Sequence, residues 1–213
     1  MKFTIAPAIG TDCPDAVIRF LRVNAPVSFS DPSLQHAYDA VFPGDKLTLS
    51  HRQLQTLRLP LNSGFTTLLL IGFDSAAASP FDHFRAALAS LGTALNQLGA
   101  HSVLMDRLDS VTFAGEPQLL EQVACTLPLS EYKFDTYLAE KKPAYDRAVT
   151  VLADNSCQAA LEEGQVLADS VCTARDLVNE LADVLTPAEL ARRCHALGER
   201  WGFSVEVLDR SAC

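Results

Sequence analysis

The chain has 213 residues and a formal net charge of −9, with 48% hydrophobic and 20% charged residues. This length suits one large domain, or one domain and part of a second. A negatively charged protein repels a phosphate backbone, and no apolar run reaches the roughly 18 residues of a membrane helix. We therefore expect neither nucleic acid nor a membrane as a partner.

Strand-like and helix-like segments alternate over the first 150 residues. The stretch from Val27 to Gly64 is rich in Pro, Ser and Asn and is predicted to be mostly loop. Helices are predicted from a cap at Ser79 to Gly99 and over Glu116–Leu127. Apolar patterning predicts strands over residues 2–6, 46–50 (at a sheet edge), 66–73, 101–106 and 147–153. This alternation indicates an α/β fold with a parallel, right-handed strand–helix–strand unit over residues 66–106.

A longer helical pattern begins near Cys157. Its apolar stripe recurs at spacings of four and three, at Leu167, Val171, Ala174, Val178 and Leu181. Thr186 and Glu189 predict a capping box for one more helix, with a buried face of Leu190, Cys194, Leu197 and Trp201. A strand is predicted over Phe203–Asp209. New apolar faces this late in the chain lead us to expect a second domain that is begun and not completed.

Motifs that carry chemistry are scarce. No phosphate-binding loop, dinucleotide fingerprint, nucleophile elbow or helical zinc motif occurs. The histidines are never three or four residues apart, and we predict surface or boundary positions for His36, His51, His83, His101 and His195. The cysteines lack a C-x-x-C spacing, and we predict reduced thiols that pack as small hydrophobic side chains at Cys13, Cys125, Cys157, Cys172, Cys194 and Cys213.

The segment "TARDLVNELADVLTP" (Thr173–Pro187) is the densest in polar side chains. Arg175 and Asp176 are predicted to face away from the apolar stripe and to form surface or inter-domain ion pairs. Asp12 and Asp15 are interpreted as solvated carboxylates of a turn. Cys194 and His195 are adjacent and so point in different directions on a helix, which is a poor geometry for a shared metal. No catalytic, metal-binding or ligand-binding residue is assigned.

The combination of segments resembles the leucyl (cytosol) aminopeptidase family. "ARDLVNELADVLTPAELA" is similar to the family pattern Arg-Asp-Leu-x-Asn-x-Pro-x-Asn followed by Thr-Pro and Leu-Ala, which leads into its catalytic domain. Upstream, "LLLIGF" with the following helix and strand is similar to the core of the family's N-terminal domain. "LPLSEYKFDTYLAEKK" is similar to a further family stretch. The resemblance covers nearly the whole chain in order.

The resemblance implies a domain plan. Residues 1–155 would form a three-layer, macro-domain-like sheet flanked by helices. Residues 156–185 would be a connecting helix and linker, and residues 186–213 the first helix and strand of an incomplete α/β catalytic domain. Family members are cytoplasmic hexamers that use two divalent metals, Zn or Mn, to remove N-terminal residues from peptides.

The family's metal-binding and catalytic motifs, Asn-Thr-Asp-Ala-Glu-Gly-Arg and Lys…Asp-Ser-Gly-Gly, do not occur in these 213 residues. We therefore expect no cofactor in this chain, no activity of the chain alone, and a downstream catalytic domain as its partner. Leu181 and Asp183 stand where the family has proline and asparagine. A stand-alone macro-like module that binds ADP-ribose, another nucleotide or a protein is the alternative interpretation.

Overall fold

A computed structural model of the chain describes residues 1–44, 46–61, 64–140 and 146–208. The chain divides into two compact units, Met1–Ser170 and Val171–Cys213. The domain boundaries suggested by the family resemblance remain predictions. No helix within the described ranges is both long and apolar enough to cross a membrane.

The first unit is built on one six-stranded sheet with the spatial order β1-β6-β5-β2-β4-β3. All neighbouring strands are parallel except β3, which runs antiparallel to β4 at one edge. The strands are β1 (Lys2–Ala6), β2 (Ala16–Arg22), β3 (Leu54–Leu61), β4 (Gly64–Phe73), β5 (Ser102–Met105) and β6 (Ala148–Leu152).

Helices cover both faces of this sheet. In the first unit they are α1 (Pro32–Val41), α2 (Pro80–Leu98), α3 (Glu116–Glu131) and the first part of α4 (Gln158–Asn179, after a 3₁₀ turn over Asn155–Cys157). The helix α5 (Pro187–Trp201) belongs to the second unit. On one face α2, α3 and the start of α4 bury Phe84, Leu120 and Leu161 against the sheet. On the other, α1 buries Leu34 and Tyr38. The predicted α/β class, with a sheet flanked by helices, is confirmed.

The predicted strand–helix–strand unit is β4-α2-β5. Its two strands are parallel, and β2 lies between them in the sheet. Gly99 ends α2 in the left-handed conformation, with φ 65°, which costs glycine little because it has no Cβ. Ser79 takes the predicted cap position, but its side chain forms no capping hydrogen bond.

The predicted edge strand over residues 46–50 is wrong. The edge strand is β3, and residues 46–50 belong to no strand. Leu49 is instead fully buried, and its carbonyl accepts a hydrogen bond from the Asn24 N–H at 3.1 Å. The segment thus crosses β4 at Gly72, where a Cβ would lie only 2.2 Å from the Ser50 carbonyl oxygen. The loop-rich interpretation of Val27–Gly64 also missed α1 and β3.

In the second unit, several apolar side chains that were predicted to be buried are exposed. Gly198 is the buried residue of α5, whereas Leu190 and Trp201, which we predicted to be buried, are 40% and 50% exposed. The described part of the predicted strand, residues 203–208, is not paired as a strand, because no described strand lies beside it; Asp209 lies outside the described residues. The stripe of α4 is also exposed, and Val178 is 83% accessible.

The close approach at Gly72 yields a stability prediction. Gly72→Ala should lower the free energy of unfolding by about 1–3 kcal/mol, because the new methyl group meets a backbone carbonyl that must shift. Gly10→Ala is the matched control, since nothing lies within 4 Å of its added Cβ. Urea unfolding followed by circular dichroism measures both. Equal stabilities for the two variants would contradict the close packing at Gly72.

Candidate functional site

The carboxyl ends of three parallel strands meet at one edge of the sheet. β2 ends at Arg22, β4 at Phe73 and β5 at Met105, and the loops that follow them therefore lie side by side. Ligands of open α/β sheets generally bind outside the carboxyl ends of the strands. We call this region the carboxyl edge and treat it as the candidate site.

A buried arginine organises the carboxyl edge. Arg19 lies within β2 with only 3% of its side chain exposed, and its Nη1 lies 3.4 Å from the Asp106 Oδ2 and 2.6 Å from the Asp109 Oδ1. The guanidinium also donates to the carbonyls of Ser28 and Arg107, each at 2.7 Å. One side chain therefore connects the loop after β2 to the loop after β5.

The pKa values of the two carboxyl groups that pair with Arg19 shift in opposite directions. Burial raises the pKa of Asp106, against the attraction of Arg19. Its Oδ2 also accepts the Ser30 N–H at 2.9 Å. Burial also opposes ionisation of Asp109, but hydrogen bonds from Arg19 and Ser30 outweigh it and lower the pKa. Both carboxyl groups therefore bind Arg19 and Ser30 and hold the loops of the carboxyl edge together.

Two histidines meet beside this region. The Nε2 of His51 lies 2.9 Å from the Nδ1 of His83, and the Nδ1 of His51 accepts the Asp74 N–H at 3.0 Å. Because Nδ1 of His51 is an acceptor, the proton of a neutral His51 must sit on Nε2, which donates to His83. A ring nitrogen that carries a proton cannot ligate a metal. Burial, His83 and Arg52 lower the pKa of His51.

The other residues singled out in the sequence are mostly separate from this edge. His36, His101 and His195 are exposed, and His51 and His83 half-buried, so the surface-or-boundary prediction is confirmed for all five. Cys13, Cys125, Cys157, Cys172 and Cys194 are reduced thiols outside any disulfide, as predicted; Cys213 lies outside the described residues. Among the described residues, no group of three or more His, Cys, Asp or Glu side chains is placed to hold a metal ion.

Asp15 is an exposed carboxylate in a bend, in agreement with its interpretation, but it also binds the backbone. Its Oδ2 accepts the backbone N–H groups of His101 and Ser102, both at 2.8 Å. Despite the opposing effect of burial, these bonds lower the pKa of Asp15. Asp15 therefore fixes the start of β5 against the start of β2. Asp12 is exposed.

The segment Thr173–Pro187 lies at the end of α4 and before α5. Asp176 borders a cavity of about 320 Å³, together with Arg192, Arg193 and Arg200. The guanidinium of Arg193 donates to Glu180 and to Glu189, both at 2.8 Å. Sequence reasoning missed the Arg193–Glu180 pair, since the partners are 13 residues apart, with Arg193 on α5 and Glu180 in the bend after α4.

The predicted capping box forms only in part. Thr186 Oγ1 accepts the Glu189 N–H at 3.3 Å. The Glu189 carboxylate, however, binds Arg192 and Arg193, which lowers its pKa to about 2. Arg175 is half-buried and Asp176 exposed.

Comparison with known proteins identifies the family of this fold. Residues 24–141 match the model of the cytosol aminopeptidase family, N-terminal domain. The chain belongs to the cytosol aminopeptidase family. The match covers more than half of the 213 residues and includes most of the carboxyl edge.

Curated relatives agree with this assignment. The chain is 33% identical over 223 aligned positions to a probable cytosol aminopeptidase of Mycobacterium bovis, an alignment covering 98% of this chain and 40% of the relative. A probable cytosol aminopeptidase of Clostridium perfringens is 27% identical over 169 positions, with 76% of this chain and 34% of the relative covered. The chain thus spans well under half the length of these relatives.

Solved structures share the fold. A mutant tomato leucine aminopeptidase superposes over 100% of this chain and 45% of its own, with a TM-score of 0.77 and 18% identity. The bottromycin maturation enzyme BotP covers 90% of this chain and 38% of its own, with a TM-score of 0.67 and 26% identity. The described architecture is therefore a fold that these two enzymes also contain.

The histidine pair predicts a pH dependence of stability. The pKa of His51 is lowered in the fold from its ordinary value of 6.5, so the unfolded chain binds more protons. The stabilisation from neutral His51 is therefore present above pH 6.5 and is lost as the pH falls below it. His51→Gln should flatten the decline of the unfolding free energy between pH 7 and 5.

Urea unfolding at a series of pH values measures this decline. His36→Gln is the control, because His36 is exposed on α1 and its removal should leave the decline unchanged. An equal decline in wild type and His51→Gln would contradict the proposed role of the pair.

Proposed function

We propose that this chain is the non-catalytic N-terminal part of a metallopeptidase that removes N-terminal amino acids from peptides. The match of residues 24–141 to the N-terminal domain of the cytosol aminopeptidase family is the observation that carries the proposal. The family's catalytic motifs are absent from the 213 residues. The chain would therefore contribute to assembly and to substrate access, while a downstream catalytic domain performs the hydrolysis.

Exposed apolar surface in the second unit supports this role. Val178, Leu190, Trp201, Phe203 and Leu208 are 40–83% exposed. Large apolar side chains that another protein segment covers are exposed in this way when that segment is absent. Because the curated relatives extend well beyond the matched region, we propose that the downstream catalytic domain covers these side chains.

The relatives also support proposals on the location, assembly and metals of the parent protein. The matched relatives are described as cytosol aminopeptidases, and one solved BotP structure is a complex with Mn. We propose a cytoplasmic, hexameric parent enzyme whose two divalent metals, Zn or Mn, are bound outside this chain. The macro-like character of the first unit belongs to this proposal as well. A stand-alone nucleotide-binding module is not favoured, given the family match.

An activity assay tests the proposal. The purified chain, incubated with leucine-p-nitroanilide and either Mn²⁺ or Zn²⁺, should release no p-nitroaniline above the buffer rate. A full-length cytosol aminopeptidase, assayed in parallel, provides the positive control. Turnover by the chain that a chelator abolishes would contradict the assignment of catalysis to a separate segment.

A further inference from the structure

An unassigned cleft lies at the carboxyl edge around Arg22. One cavity of about 300 Å³ is bordered by Arg22, Asp74, Ser110 and Thr112. A second cavity, of about 260 Å³, is bordered by Arg22, Ala25, Pro26 and Ser110, and also by Ser28 and the Arg19–Asp109 ion pair. Because Arg22 and Ser110 border both cavities, we treat the two as one cleft, which we call the Arg22 cleft.

Arg22 places a positive charge in this cleft. It is the last residue of β2 and is exposed. Within the described part of the chain its guanidinium forms no ion pair or hydrogen bond. Its neighbour Arg19, in contrast, is neutralised by Asp106 and Asp109. A guanidinium offers a planar pair of N–H donors that suits a carboxylate.

Asp74 supplies a negative charge in the same cleft. It directly follows Phe73, which is paired with Arg22 across β2 and β4. One oxygen of its carboxylate, Oδ1, accepts the Ala76 N–H at 2.9 Å, which fixes the turn after β4 and leaves Oδ2 for another donor. This carboxylate disfavours a polyphosphate in the cleft and favours a ligand that also carries an ammonium group.

The remaining lining is small and mixed in polarity. Ser110 Oγ donates to the Phe20 carbonyl at 2.6 Å and can still accept a hydrogen bond. Ala25 and Pro26 provide apolar surface on the side away from Asp74. The cleft thus combines Arg22, the Asp74 carboxylate and an apolar wall with an Arg19–Asp109 pair whose charges balance each other.

We propose that the Arg22 cleft binds a free α-amino acid with an aliphatic side chain. Arg22 receives the carboxylate, Asp74 receives the ammonium group, and the side chain lies against Ala25 and Pro26. The choice of an aliphatic amino acid rests on the proposed function, since such amino acids are the products of an aminopeptidase. The cleft would let the product bind to the non-catalytic part of the enzyme.

Isothermal titration of the 213-residue chain with L-leucine tests this proposal. L-Leucine should bind, whereas 4-methylpentanoate, which lacks the ammonium group, and isoamylamine, which lacks the carboxylate, should each bind at least tenfold more weakly. No heat with L-leucine at millimolar concentration would overturn the proposal. If 4-methylpentanoate binds as tightly as L-leucine, the assignment of Asp74 to the ammonium group is overturned. If isoamylamine binds as tightly, the assignment of Arg22 to the carboxylate is overturned.

Three variants locate the binding. Arg22→Gln and Asp74→Asn should each weaken L-leucine binding about tenfold. Asn keeps an oxygen that can accept the Ala76 N–H, so the turn after β4 is retained. Arg58→Gln is the control, because Arg58 lies on β3 over the ring of Phe65. Unchanged affinity in Arg22→Gln, with an unchanged circular dichroism spectrum, would place any binding elsewhere.

The titration measures binding without turnover, so its result is independent of the activity assay. Absence of leucine binding would overturn the cleft and leave the family-based function untouched. Chelator-sensitive turnover by the chain would overturn the proposed function and leave a measured leucine isotherm intact.

Discussion

The buried guanidinium of Arg19 is the constraint on which the carboxyl edge depends. Removing a charged group from water costs several kcal/mol unless partners surround it. Arg19 meets that cost with two carboxylates and two backbone carbonyls. These partners come from the loops after β2 and β5. If one loop moved without the other, Arg19 or one of its carboxylates would lose its partner.

The same interaction shapes the neighbouring cleft. Asp109 borders the same cavity as Arg22, but its charge is balanced by Arg19 at 2.6 Å. Arg22 and Asp74 are therefore the charged side chains of the cleft to which the ligand is assigned. In the same loop, two residues before Asp109, Arg107 pairs with Asp154 at 3.1 Å, which connects this loop to the turn before α4.

The parts of the fold that were predictable from sequence are those with uninterrupted local signals. β4 has a continuous apolar run, and α2 has a proline at its start and a glycine at its end. β2 was missed because Arg19 interrupts its apolar pattern, and its burial depends on partners as far as 90 residues away. β3 was missed because Pro60 sits in it; an edge strand tolerates proline.

The candidate site was less predictable than the fold. His51 and His83 are 32 residues apart, so no spacing rule connects them, and only the sheet brings their segments together. The strand predicted over Phe203–Asp209 had the right alternation, yet a strand needs a neighbour to pair with. The family pattern around Arg175 and Asp176 identified the relationship without identifying a catalytic residue.

The most direct test of this account is the stability of Arg19→Met alone and combined with Asp106→Asn, measured by urea unfolding at pH 7. Arg19→Met should lose about 3–5 kcal/mol, because Asp106 is left buried without its counter-ion. Asp106→Asn should restore part of that loss in the double variant by removing the buried charge. A loss below about 0.5 kcal/mol for Arg19→Met, the range of an ordinary surface substitution, would contradict the central role of Arg19.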